Sequence, residues 1–148
     1  KWDGAKAQSR LDNIIGAYYT DSTLDAVLAA ADCLAMGVIS SLSSFGYGKS
    51  ADLPFPVVVG QDCEIPAIKS IMAGEQSMSV FLDQFVLSKK MADLVIALES
   101  GSSVQPDTFY NNNVIEVPTL LYEPVMVDIN NYDILIERGF YTKEDLGL

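Results

Sequence analysis

The stretch Pro56–Ile71, PVVVGQDCEIPAIKSI, constrains the fold more than any other part of the chain. Val57-Val58-Val59 is a short continuous run of β-branched residues, the pattern of a strand buried on both faces of a parallel sheet. Gly60 ends the run and Asp62 follows almost at once. Pro66 suits the first turn of a helix, where its missing N–H costs nothing, and Glu64 stands at the positive end of that helix dipole. Ile65, Ile68, Ile71 and Met72 recur at helical spacing, so the helix packs on the sheet. A carboxylate is thereby placed between the carboxyl end of a strand and the amino end of a helix. Open α/β sheets bind ligands at that edge.

The same alternation runs through most of the chain. Ala7, Leu11, Ile14, Ile15 and Tyr18 predict an amphipathic helix ending near Tyr19, with no capped start in residues 1–5. Asp25–Ala30 is the next strand. Asp32 follows it as the expected N-cap of a helix carrying Leu34, Ala35, Val38, Ile39 and Leu42, with Gly37 small enough for close packing. Residues 43–55 read as loop. Ser77–Leu82 alternates as a strand with Met78, Val80 and Leu82 on one side. Phe85–Glu99 is the longest helix, with an apolar stripe of Leu87, Met91, Leu94, Val95 and Leu98, and Gly101 stops it. Beyond it the texture changes to short β segments at 114–117, 120–122 and 125–127, cut by Pro118 and Pro124 after an Asn111–Asn113 turn. Asn130 or Asn131 is expected to cap a helix over 132–138 that ends at Gly139. Thr142 with Asp145 forms a possible capping box for a last turn. The fold class is α/β: an open, mostly parallel sheet with helices on both faces. A domain of this kind that begins with a helix looks truncated.

Composition narrows the function. The 148 residues suffice for one domain with a core. Nine Lys+Arg against 20 Asp+Glu give a formal charge of -11, which opposes binding to nucleic acid. The absence of His removes the usual general base, metal ligand and pH switch. No GxGxxG, P-loop or activated nucleophile stands in the chain, so an enzyme on a doubly wound sheet is disfavoured and no cofactor or metal is expected. Cys33 and Cys63 show no metal spacing and read as small core residues. Each follows a strand-end Asp by one residue, so the two are expected to approach one another, as thiols rather than as a bridge.

Two strand–helix units, DAVLAAADCLAMGVISSL and VVVGQDCEIPAIKSIMAGEQSMSVF, resemble the sugar-binding receptors of bacterial ABC importers, which have the type I periplasmic-binding-protein fold. GQDCE, IKSIMAGEQ, NNNVIEVPTLLYEPVMVD and GFYTKEDL look like the branch that binds xylose and multiple monosaccharides. The resemblance covers essentially the whole chain. It implies a C-terminal lobe, with a first lobe and the start of the second lying before Lys1, and a crossover segment at 84–103 that packs on that first lobe. It also implies a monosaccharide ligand, a membrane permease as partner, and a periplasmic or extracellular location, with a lipid anchor at the cell surface as one form. No catalysis is expected. The alternative is the effector-binding domain of a sugar-responsive repressor, which shares the fold.

A sugar offers hydroxyls and apolar C–H faces. A carboxylate accepts two hydroxyl hydrogens at once, and aromatic rings cover the faces. Asp62 occupies the position at which the resemblance implies a sugar-binding Asp; the alternative is a plain helix cap. Asp32 is expected as a cap first and as a ligand second. Gln61 and Glu64 match the branch motif, Glu64 as helix-terminal structure. Ala31 stands where ribose receptors carry a polar group. Leu82 stands where the xylose-like branch carries a Lys, which leaves Asp83 as the polar candidate there. Trp2, Tyr18, Tyr19, Phe81 and Tyr110 are the aromatic candidates, each read as core. Left alone, the apolar stripe of the 85–99 helix is expected to drive a homodimer or to repack on its own lobe.

Overall fold

The computed structural model describes residues 2–148. In chain order the elements are α1 (Gly4–Tyr18), β1 (Ala26–Leu28), α2 (Asp32–Ser44), β2 (Val57–Gln61), α3 (Ile65–Met72), β3 (Met78–Phe81), α4 (Gln84–Glu99), β4 (Thr108–Asn111), β5 (Glu116–Thr119), β6 (Val125–Val127), α5 (Ile134–Glu137) and α6 (Lys143–Leu146). They fall into two compact units: residues up to Phe81 together with Met126–Leu148, and Leu82–Val125.

The first unit is built on a sheet of order β1-β2-β3-β6, in which β2 pairs in parallel with β1 and with β3. Val27 lies beside Val58, and Gly60 beside Ser79, so these residues share one face of the sheet. That face is covered: Val58, Ser79 and Phe81 are buried. The opposite face carries Leu28, 83% exposed, and Val57, 52% exposed. The Val57–Val59 run is therefore covered on one face only, and β2 continues through Gly60 to Gln61 rather than stopping at the glycine. The buried positions of β3 are likewise Ser79 and Phe81, not Met78 and Val80.

The core lies between this sheet and the α1–α2 pair, with Leu11, Ile15, Ala35, Val38, Ile39, Leu42, Tyr47 and Val58 packed together. Each fully buried aliphatic side chain there contributes about 1.5–3 kcal/mol. Two polar devices set the position of α1. Asp3 accepts the Lys6 N–H at 3.3 Å, an N-cap where an uncapped start was expected. Buried Ser41 donates to Asp12 Oδ1 across the helix pair at 2.6 Å. The Thr142–Asp145 capping box forms as expected on α6. Asn131 instead closes the turn after β6, accepting from Asp128 N and donating to the Met126 carbonyl.

The second unit holds α4 and the antiparallel pair β4–β5, whose connection runs through Asn112 and Asn113. Residues 120–122 form no strand, and Thr108–Asn111 forms one that the sequence pattern did not indicate. Pro118 is tolerated within β5 because the sheet has only two strands, where an absent N–H need not break a ladder. No residue of α4 is buried. Leu87, Met91, Leu94 and Leu98 of its apolar stripe, with Val104, Pro106 and residues 118–122, line an open groove of about 570 Å³.

Candidate functional site

The carboxyl ends of β1, β2 and β3 lie at one edge of the first unit, and the loop Asp62-Cys63-Glu64 stands there between β2 and α3. Its backbone is unusual. Asp62 has φ 98° and Cys63 φ 53°, left-handed values that L residues avoid at a cost of about 1–2 kcal/mol each. Such conformations persist where surrounding bonds enforce them, and they gather at ligand sites. The enforcing bonds here come from β3 and from the start of α2. Asp62 N–H donates to the Val80 carbonyl at 2.9 Å, Cys63 N–H to Ser79 Oγ at 3.1 Å, and Glu64 N–H to Asp32 Oδ2 at 3.0 Å.

Asp62 itself is exposed at the open edge, as expected. Gln61, half-buried, donates to Asp62 Oδ1 at 3.3 Å, so the two residues proposed from the GQD motif stand side by side.

Asp32 is different on both counts. The N-cap of α2 is Ala31, without a side-chain bond, and Asp32 lies within the first turn. Its carboxylate is fully buried and turned to protein donors. Three donors surround it: Ser79 Oγ at 2.8 and 2.9 Å, Gln76 Nε2 at 2.9 Å, and the Glu64 N–H, the amide at the start of the neighbouring helix. Asp32 thus caps α3 rather than its own helix. Gly60 makes room for it, because a Cβ there would lie 2.1 Å from Asp32 Oδ1. Burial holds the Asp32 carboxyl above its ordinary value, against the lowering by Gln76, Ser79 and the Glu64 amide.

Asp83 also differs from expectation. It lies in the second unit, buried, as the N-cap of α4, accepting the Val86 N–H at 3.0 Å while its own N–H donates to Tyr122 Oη. Helix capping absorbs the polar group that was read as a ligand. Among the aromatic candidates only Phe81 is core; Trp2, Tyr18 and Tyr110 are exposed and Tyr19 is half-buried.

The edge is electrically negative. Burial, then the charges of Asp32 and Asp62, raise the Glu64 carboxyl. Burial first, then the same two charges, push the Cys63 thiol up to about 12. Both cysteines are free, Cys63 buried and Cys33 half-buried, and Cys63 is an inert thiol. An exposed carboxylate on a negative edge repels phosphates and acids and suits hydroxyl donors. Among the described residues no group of three or more Cys, Asp or Glu is arranged to hold a metal ion.

Sequence reasoning missed three residues here: Gln76, Ser79 and Tyr141. Tyr141 Oη donates to the Cys63 carbonyl at 2.9 Å. Ser79 left a faint signal, a small polar residue inside the strand run SMSVF; Gln76 and Tyr141 act over 44 and 78 residues of sequence separation and left none.

Residues 1–103 match the model of the periplasmic binding protein domain. The chain is 46% identical over 99% of its length to the multiple sugar-binding periplasmic receptor ChvE of Rhizobium radiobacter, and covers 42% of that protein. It is 33% identical over 98% of its length to the D-xylose-binding periplasmic protein of Escherichia coli, again 42% of the relative. In structure it superposes with TM-score 0.84 and 38% identity on an ABC transporter solute-binding protein from Clostridium phytofermentans with bound β-D-glucose, covering 98% of this chain and 44% of the other. The chain spans less than half the length of these relatives. With a family model matched over most of its length, on a parallel sheet whose open edge carries Asp62, this chain belongs to the periplasmic binding protein family.

Proposed function

We propose that this chain is the C-terminal, sugar-holding lobe of a solute-binding receptor that delivers a monosaccharide, a pentose or a hexose, to an ABC importer. The observation that carries the reading is the exposed Asp62 carboxylate on an enforced left-handed turn at the carboxyl edge of the sheet. Gln61 beside it supplies a second polar group, and the negative edge selects neutral polyols. The receptors named above bind sugars under their own names, and the Clostridium protein holds β-D-glucose. The role is binding without catalysis, in the periplasm, and closure of two lobes around the sugar would be the signal read by the permease. The uncovered sheet face at Leu28 and Val57 suits a lobe that meets further chain in a longer receptor.

One lobe supplies only part of the hydrogen bonds of an enclosed sugar, and each is worth about 1 kcal/mol net. The chain alone is therefore expected to bind D-glucose or D-xylose weakly, in the millimolar range (about 4 kcal/mol). Asp62→Asn is expected to remove the response, measured by chemical-shift titration with D-glucose. An unchanged affinity in Asp62→Asn would remove the carboxylate from the site.

The 84–103 segment is proposed to serve as a crossover onto the other lobe. In the chain alone the apolar stripe of α4 is expected to drive self-association, since Met91, Val95 and Leu98 are each about 60% exposed. Light scattering after gel filtration should give twice the monomer mass, with Met91→Glu restoring the monomer. A monomeric mass for the unaltered chain at high concentration would contradict this.

A further inference from the structure

The loop that carries Asp62 is held from two sides. From below, β3 and α2 take its amides through Val80, Ser79 and Asp32. From the other side comes a single hydroxyl, that of Tyr141, on the Cys63 carbonyl at 2.9 Å. The Cys63 peptide is thus gripped at its N–H by Ser79 and at its C=O by Tyr141, and Cys63 is the second residue of the left-handed pair.

Tyr141 is itself fixed. Phe140 stands edge-to-face on Phe81 at 4.8 Å, the Tyr141 N–H reaches the Leu135 carbonyl, and the Thr142–Asp145 capping box follows immediately, with Leu146 buried. α6 packs against α3, the helix that the loop enters. Without the clamp, the pair would relax toward ordinary φ values, and the Asp62 carboxylate would turn with its backbone.

We infer that Tyr141 is a positioning residue for Asp62: its hydroxyl, through the Cys63 carbonyl, holds the carboxylate in the orientation that accepts sugar hydroxyls. The inference rests on the reading of Asp62 given above. Burial, followed by the charges of Cys63, Glu64, Asp32 and Asp145, raises the Tyr141 phenol, which keeps the hydroxyl protonated and donating.

The test is Tyr141→Phe in the full chain, which removes one oxygen and keeps the ring. Two readouts are taken beside the melting temperature: iodoacetamide labelling of each cysteine, resolved by peptide mass, and the D-glucose-induced amide shifts at residues 61–64. Cys63 labelling should rise about fivefold, the scale of one lost hydrogen bond, while half-buried Cys33 labels as before. The glucose response should weaken by a similar factor at nearly unchanged melting temperature. Ser79→Ala, which frees the other end of the Cys63 peptide, should raise Cys63 labelling as well. Asp62→Asn should lose the glucose response yet keep Cys63 protected. Wild-type Cys63 protection or a wild-type glucose response in Tyr141→Phe overturns the inference. A glucose response that survives Asp62→Asn, or is absent from the unaltered chain, overturns the sugar reading instead, and Cys63 labelling still decides whether the clamp exists.

Discussion

Gly37→Ala is expected to destabilise the first unit by about 3 kcal/mol or more, although alanine is the better helix former. A Cβ at Gly37 would lie 2.0 Å from the Gly4 carbonyl oxygen, 2.7 Å from its carbon and 3.0 Å from its Cα. All three are backbone atoms, so no rotamer change relieves the overlap. α1 is close to α2 at Gly4 as well, where a Cβ would meet the Cys33 carbonyl oxygen at 2.7 Å. α1 would have to lift from α2, exposing Leu11 and Ile15 and breaking the Ser41–Asp12 bond. Gly16→Ala in the partner helix α1 is the control: nothing lies within 4 Å of its Cβ, so the variant should gain about 0.5–1 kcal/mol. Urea unfolding of both variants decides it. Equal stabilities for Gly37→Ala and the unaltered chain would mean that the helices do not cross this closely.

Asp32→Ala is expected to cost about 3–5 kcal/mol, because it strands Ser79, Gln76 and the Glu64 amide around an emptied site. The pH dependence carries a sign. Burial raises the folded-state pKa of Asp32 above its ordinary 3.8, so the folded protein holds that proton more tightly than the unfolded chain. The stability Asp32 contributes is then fully present below 3.8 and falls as pH rises through the raised folded value. The deficit of Asp32→Ala should therefore shrink as pH rises above 3.8. Denaturant midpoints of both proteins across that range measure it. A deficit that grows with pH would show that the hydrogen bonds outweigh burial.

These two residues mark how far the sequence reaches. Gly37 was legible as a close-packing glycine, because a glycine inside an apolar helical stripe has few other uses. Asp32 was legible as a residue near a helix start and misassigned in its task. Its partners lie 32 to 47 residues away in sequence, and local pattern carries no trace of them. The strand–helix order of residues 26–99 followed from apolar runs and periodicity, since burial on a sheet imposes both. Asp62 was legible through its place after a strand. Its left-handed backbone was not, because Asp adopts positive φ only occasionally and Cys has no such preference, so two in succession leave no clear local signal. β4 escaped because Thr108–Asn111 is exposed throughout and so lacks the alternation that burial imposes. Asp83, singled out as the polar residue next to Leu82, serves as the N-cap of α4, a role that neighbouring apolar residues do not reveal.

Whether the Asp62 edge receives a neutral sugar is decided by an NMR titration of the unaltered chain with D-glucose. Saturable shifts are expected at millimolar glucose, largest at the amides of residues 61–64, with the groove beside α4 silent. A titration that leaves residues 61–64 unmoved while other residues respond, or that moves nothing at all, would contradict it.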